Sequence, residues 1–101
     1  MNTRDVPLSE QAFIARTPDD AVLVRVAVKG CILGVQLEPK AMRYNMNELA
    51  QRIMACADVA YLQGQVALRE QMEQAELDPV CYADFPTERD LAAARDRLRM
   101  L

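Results

Sequence analysis

Histidine and tryptophan are both absent from this 101-residue chain. Without histidine it lacks the commonest general base and the commonest metal ligand. Three tyrosines and two phenylalanines are the only large aromatics, so Val, Ala, Leu and Met must fill the interior. Serine occurs once, at Ser9 beside Glu10, with no imidazole to activate it; it reads as a solvated hydroxyl. Glycine is scarce, and Gly30 and Gly34 lie too far from a helix N-terminus to cradle a phosphate. The three cysteines, Cys31, Cys56 and Cys81, are widely spaced and form no Cys-x-x-Cys pair. They suggest neither a disulfide framework nor a metal site, but reduced thiols, with Cys56 filling core. The first residues, Met1 to Pro7, hold no apolar h-region, and no apolar run is long enough to span a bilayer. The expectation is a cytoplasmic protein with no cofactor, no metal, no membrane contact and no small-molecule substrate.

What is present is charge of both signs and many small apolar residues. Twelve Lys and Arg against fifteen Asp and Glu leave a formal net charge of −3, which argues against nonspecific nucleic-acid binding. Asp19-Asp20 could suggest paired carboxylates, but the pair follows Thr17-Pro18 and reads as a solvated turn. Arg16, Arg25, Lys29, Lys40 and Arg43 cluster in the first half and form the candidate surface for DNA or a partner. Arg89, Arg95, Arg97 and Arg99 alternate with acids near the C-terminus, as on a solvated, ion-paired face. Six methionines, among them Met42, Met46, Met54 and Met72, would suit an adaptable binding surface, although core filling is their commoner use.

The pattern predicts one α+β domain over residues 1–101: a three-stranded antiparallel β-meander packed on one long helix, plus a C-terminal helix. Residues 1–10 read as a flexible arm, 11–73 as the sheet and long helix, and 86–100 as the C-terminal helix, its core at 87–99. Strands are expected at 11–16, 21–29 and 32–38. In the second, Val22, Val24, Val26 and Val28 share one face, with Leu23, Arg25, Ala27 and Lys29 on the other. Gly30 supplies the positive φ of a tight hairpin. Leu33, Val35 and Leu37 then share a face opposite Ile32, Gly34, Gln36 and Glu38, and Pro39 ends the strand.

Asn45 and Glu48 have capping-box spacing, opening a helix at 46–73. Its apolar stripe includes Leu49, Ile53, Cys56, Ala57, Ala60, Gly64, Ala67 and Leu68. Gly64 would cost about 1 kcal/mol relative to Ala in a helix interior. Close approach of a partner helix would explain it, so Ala57, Ala60, Gly64 and Ala67 are the candidate dimer surface. Tyr82 and Phe85 should pack back on the body. Thr87 and Asp90 open the last helix, whose stripe is Leu91, Ala94, Leu98 and Leu101. A small, Ala-rich monomer buries a limited fraction of its surface, which predicts a homodimer. Tyr44-x-x-x-Glu48 matches the tyrosine-x-x-x-acidic pattern of type VII secretion signals, but lacks the Trp-x-Gly turn that normally precedes it.

The block from Val22 to Val28, then Gly30, Val35-Gln36-Leu37-Glu38-Pro39 and Asn47-Glu48-Leu49-Ala50-Gln51-Arg52-Ile53, resembles the YbaB/EbfC family. That family has a strand, a glycine hairpin, a strand closing on Val-x-[Ile/Leu]-[Asp/Glu]-Pro, and a helix opening Glu-Leu-Ala-x-x-Ile. Ala55-Cys56-Ala57-Asp58-Val59-Ala60 is similar to its Ala-rich helix with an internal acid. Glu48-Leu49-Ala50, Ile53 and Ala57-Asp58 most resemble the YbaB-like proteins of actinobacterial type VII (ESX) secretion loci. The resemblance covers about Ala21 to Ala67. It implies a dimer with a three-stranded sheet and long helices, and no catalytic residue is carried over. Some members bind DNA with little sequence preference. Those begin with a long charged helix, whereas here only a short arm precedes Gln11. The expected role is therefore a non-enzymatic accessory or adaptor protein of type VII secretion, with a secretion-system protein as partner. A nucleoid-associated DNA binder is the alternative.

Overall fold

The computed structural model describes residues 6–101. Three antiparallel strands form one sheet in the order β1 (Ala12–Arg16), β2 (Val22–Ala27), β3 (Ile32–Leu37). The 29-residue helix α1 (Met46–Gln74) and the helix α2 (Glu88–Arg99) complete the expected α+β architecture. Residues 1–5 of the expected arm lie outside the described residues. The rest of it is ordered: Leu8–Glu10 form a 3-10 turn, and Gln11 donates to the Val6 carbonyl at 2.7 Å.

α1 lies over β1 and β2 and barely reaches β3. Val22, Val24 and Val26 are almost wholly buried beneath it, as the alternation predicts. Each contributes roughly 1.5–3 kcal/mol. β2 stops at Ala27, not Lys29. Gly30 donates to the Ala27 carbonyl at 2.8 Å, and Ala27 donates to Cys31 at 2.9 Å, so Val28 and Lys29 belong to the turn. Gly30 sits at φ +98°, as a tight turn requires.

Both helices begin as expected. Asn45 accepts from the Glu48 amide at 2.8 Å while Glu48 accepts from the Asn45 amide at 2.9 Å. Asp90 accepts from the Thr87 amide at 2.8 Å. α1 ends in a Schellman motif, with Leu77 donating to Met72 and Glu76 to Glu73. Glu76 takes φ +58° there, a conformation that favours glycine. The chain then doubles back. Arg69 holds the connector by donating to the Tyr82 and Phe85 carbonyls, both at 2.9 Å. α2 packs antiparallel on α1 through buried Leu91, Ala94 and Leu98, and Arg52 donates to the Leu101 carbonyl at 3.0 Å.

Two face assignments differ from expectation. The β2–β3 register shifts at Arg25/Val26, pairing Arg25 with Gly34 but Val26 with Ile32. This bulge over Leu33 brings Ile32 to the face of Val26, where strict alternation puts it opposite. Second, the small-residue stripe of α1 is used within the chain. A Cβ on Gly64 would sit 3.1 Å from the Phe13 ring and 3.4 Å from Val28 Cα. Ala60 is fully buried. The sheet itself makes the close approach, so Ala60 and Gly64 are not open to a partner helix; Ala57 and Ala67 keep partial exposure.

Candidate interaction surface

β3 is the least protected part of the fold. Ile32, Leu33, Val35 and Leu37 are 54%, 52%, 44% and 39% exposed, because α1 stops short of this strand. The register sets Leu37 beside Val22 and Val35 beside Val24. These side chains therefore extend the core face beyond its helical cover. Tyr61 stands against Gly30 of the β2–β3 turn. Elsewhere on the surface Met42, Met46 and Met54 are largely exposed, Met54 lining a hollow with Ala94 and Leu101 of the C-terminal region. Those three methionines are surface residues, not core; Met72 alone of the four singled out is half-buried.

Among the described residues, the opposite face of the sheet carries no helix. Cross-strand rungs place Ile14, Arg25 and Gly34 in one row and Arg16, Leu23 and Gln36 in the next. Arg16 and Arg25 are thus diagonal neighbours, about 7–8 Å apart at the backbone. Arg16 and Lys40 line one open groove of about 560 Å³ with Leu23 and Gln36, but Asp20 and Glu38 line it too. Arg16 pairs with Asp20 at 3.8 Å, with both side chains exposed. Such a pair contributes little. Lys29 lies in the β2–β3 turn and Arg43 ends the Pro39–Arg43 3-10 segment. The structure brings Arg16, Arg25 and Lys40 to one side of the sheet and leaves Lys29 and Arg43 apart from that groove.

Asp19 is more than a solvated turn residue. Its carboxylate accepts from the Thr17 hydroxyl at 2.7 Å, the Ala21 amide at 3.0 Å and the Tyr44 hydroxyl. The Thr17 hydroxyl oxygen accepts from the Val22 amide at 3.1 Å. These bonds, led by that from Tyr44, hold the Asp19 carboxyl well below the usual range. Arg52 lies over the Tyr44 ring, 3.9 Å from its centroid. The node ties the β1–β2 turn to the entrance of α1. Tyr44 and Glu48, the two ends of the secretion-like pattern, are thus engaged in fixing and capping that entrance. Sequence reasoning missed the node because Tyr44 is 25 residues from Asp19. The pairing of Thr17 with Asp19 was its one local sign.

Among the described residues, no group of three or more His, Cys, Asp or Glu could hold a metal ion. Cys31 and Cys81 are exposed and Cys56 is buried. Burial pushes the Cys56 thiol up to about 11, which leaves it un-ionised and unreactive. No helix among the described residues is long and apolar enough to cross a membrane.

Fold and surface together define a small α+β domain whose most distinctive feature is an open apolar edge strand. The chain belongs to the family described as "Protein of unknown function (DUF2694)", whose model matches residues 7–100. No curated protein and no solved structure matches it.

Proposed function

We propose that this protein is a non-enzymatic accessory or adaptor protein of type VII secretion, working in the cytoplasm as a homodimer through protein–protein contact. The observation that carries the reading is the exposed apolar surface of β3, formed by Ile32, Leu33, Val35 and Leu37. A contiguous apolar surface on a small domain marks an interaction site. The secretion setting and the YbaB/EbfC-like relationship rest on the residues from Val22 to Ala67 that carry the resemblance. In support, the strand, glycine turn, strand, Pro39 and capped helix follow one another in the fold in that order.

The test is co-purification from cells of the native host under conditions that preserve an intact secretion complex. Recovery of a secretion component with the wild-type chain, lost when Val35 is changed to Lys, is expected. No secretion component recovered from such an intact preparation would refute the adaptor reading.

One observation favours a second reading. Arg25 and Lys40 make no ion pair among the described residues and lie near Arg16 on the uncovered side of the sheet. Duplex DNA titrated at two salt concentrations tests it. DNA binding requires affinity at low salt that falls steeply as salt rises.

A further inference from the structure

Two basic clusters that lie far apart in the sequence meet at one end of the fold. Arg16 closes β1, and the turn that follows borders the last turns of α2. Between them runs an open groove of about 530 Å³. Arg16, Pro18 and Asp20 line one wall, Arg95 and Arg99 the other, and the buried Leu98 forms the floor. Both walls are fixed. The Asp19 node holds the turn, and Leu98 anchors α2 on α1. The groove is preformed, so a ligand need not spend binding energy on ordering it.

Three guanidinium groups and one carboxylate line the groove. Asp19, the other acid of the turn, is not among them, because Thr17, Ala21 and Tyr44 take up its carboxylate. Arg16 reaches Asp20 only at 3.8 Å, with both side chains exposed, and Arg99 pairs with the exposed Asp96. Arg95 makes no ion pair among the described residues. The groove therefore concentrates positive charge on a chain of net charge −3. A net acidic molecule does not attract a long polyanion from a distance, so the groove suits a short, locally acidic ligand.

Spacing narrows the choice further. Arg95 and Arg99 stand four residues apart on α2, about 6 Å along its axis. In an extended peptide, residues i and i+2 project to one side, about 6.6 Å apart. Two carboxylates in the order acid-x-acid therefore match the two guanidinium groups, each through charge-assisted hydrogen bonds. The residue between them faces the opposite wall and the floor, where Pro18 and Leu98 are apolar. A lone phosphate would leave that apolar floor unused.

We propose that this groove binds an extended acidic segment of a partner protein, of the form acid–apolar–acid. Arg95 and Arg99 hold the carboxylates, Arg16 adds a third donor, and Asp20 is the internal carboxylate that competes with them. The proposal rests on the adaptor reading only in taking the ligand to be a protein. The surface is separate from β3, which lies at the other edge of the sheet from Arg16.

The experiment titrates the full chain with the capped peptide Ala-Glu-Leu-Glu-Ala at low ionic strength and follows backbone amide shifts by NMR. Ala-Gln-Leu-Gln-Ala, inorganic phosphate and a short DNA duplex are the comparison ligands. Saturable shifts at residues 16–20 and 95–99 are expected with the glutamate peptide and not with the glutamine one. Arg95→Gln and Arg99→Gln should each weaken binding about tenfold. Arg97→Gln, which removes the same charge from α2 outside the groove, should leave it unchanged. Asp20→Asn should tighten it severalfold, since asparagine tolerates the φ of +60° at that position. No saturable shift at the groove, equal response to both peptides, or an Arg97→Gln loss as large as that of Arg95→Gln refutes the site. Phosphate or duplex that shifts the same amides at lower concentration than the peptide overturns the assignment in favour of phosphate recognition. Should an arginine variant fail to fold, the wild-type shift map and the comparison of the two peptides decide. A negative result here, with a secretion component still recovered by co-purification, removes the groove and leaves the adaptor reading standing.

Discussion

Replacing Gly64 separates two accounts of the small-residue stripe on α1. If its purpose is contact with this chain's own sheet, as the geometry indicates, enlarging it destabilises the protomer. The Cβ of Gly64→Ala would stand 3.1 and 3.3 Å from two Phe13 ring carbons and 3.4 Å from Val28 Cα. Relief requires a shift of a few tenths of an ångström. The Phe13 ring is half-buried and can tilt; the Val28 backbone is held by the Gln65 amide, which donates to its carbonyl at 2.9 Å. Alanine gains about 1 kcal/mol of helix propensity. Overpacking costs about 1–3 kcal/mol. Gly64→Ala should therefore be neutral to about 2 kcal/mol destabilising. Gly64→Leu adds three further carbons where the sheet already stands, and should cost more than about 3 kcal/mol, a large part of the ~5–15 kcal/mol a domain has. Urea unfolding at several protein concentrations measures this, since only dimer-linked stability varies with concentration. The reasoning fails if Gly64→Leu unfolds at the wild-type midpoint under dilute conditions and merely stops dimerising. That outcome would return Gly64 to a partner helix.

Other perturbations test the rest of the fold. Val26, 1% exposed, tolerates no charge: Val26→Asp should give no cooperative unfolding transition by circular dichroism, and a soluble, cooperatively folded variant would mean the strand faces are wrongly assigned. Glu76→Gly removes a side chain from a residue at φ +58° and should raise stability by up to about 1 kcal/mol, read as a higher urea midpoint. Arg69→Ala frees the Tyr82 and Phe85 carbonyls and should speed proteolytic cleavage between Asp78 and Phe85 severalfold, with the sheet amides still protected from exchange. Asp19 has its pKa lowered by folding, so the stability it adds is fully present above the ordinary carboxylate value and is lost as pH falls below it. Thermal melts of Asp19→Asn should be less stable than wild type at neutral pH and lose less on acidification through that range. Parallel curves would refute the assignment.

Much of the architecture was legible because it is written in local terms. Alternating valines, Gly30, Pro39 and two capping boxes each act over a few residues, and all the expected elements appear within two residues of their expected ends. The misread positions share one cause. Ile32 changed faces because a bulge at Leu33 is decided by pairing with β2, not by the strand's own alternation. Met42, Met46 and Met54 remained outside because no described element packs over them. Asp19 gained Tyr44 as a partner only when the β1–β2 turn met the entrance to α1.

The candidate surface divides in the same way. The basic residues could be named in advance but not their separation, which the cross-strand register decides. Local sequence dictates where strands and helices begin, which face of β2 is apolar, and that no histidine is available for chemistry. Tertiary structure alone decided which apolar residues are covered. Hydrophobicity tells a residue to leave water, but whether a neighbour arrives depends on where α1 lies across the sheet. It lies over β1 and β2, so Gly64 is filled from within and β3 is left open.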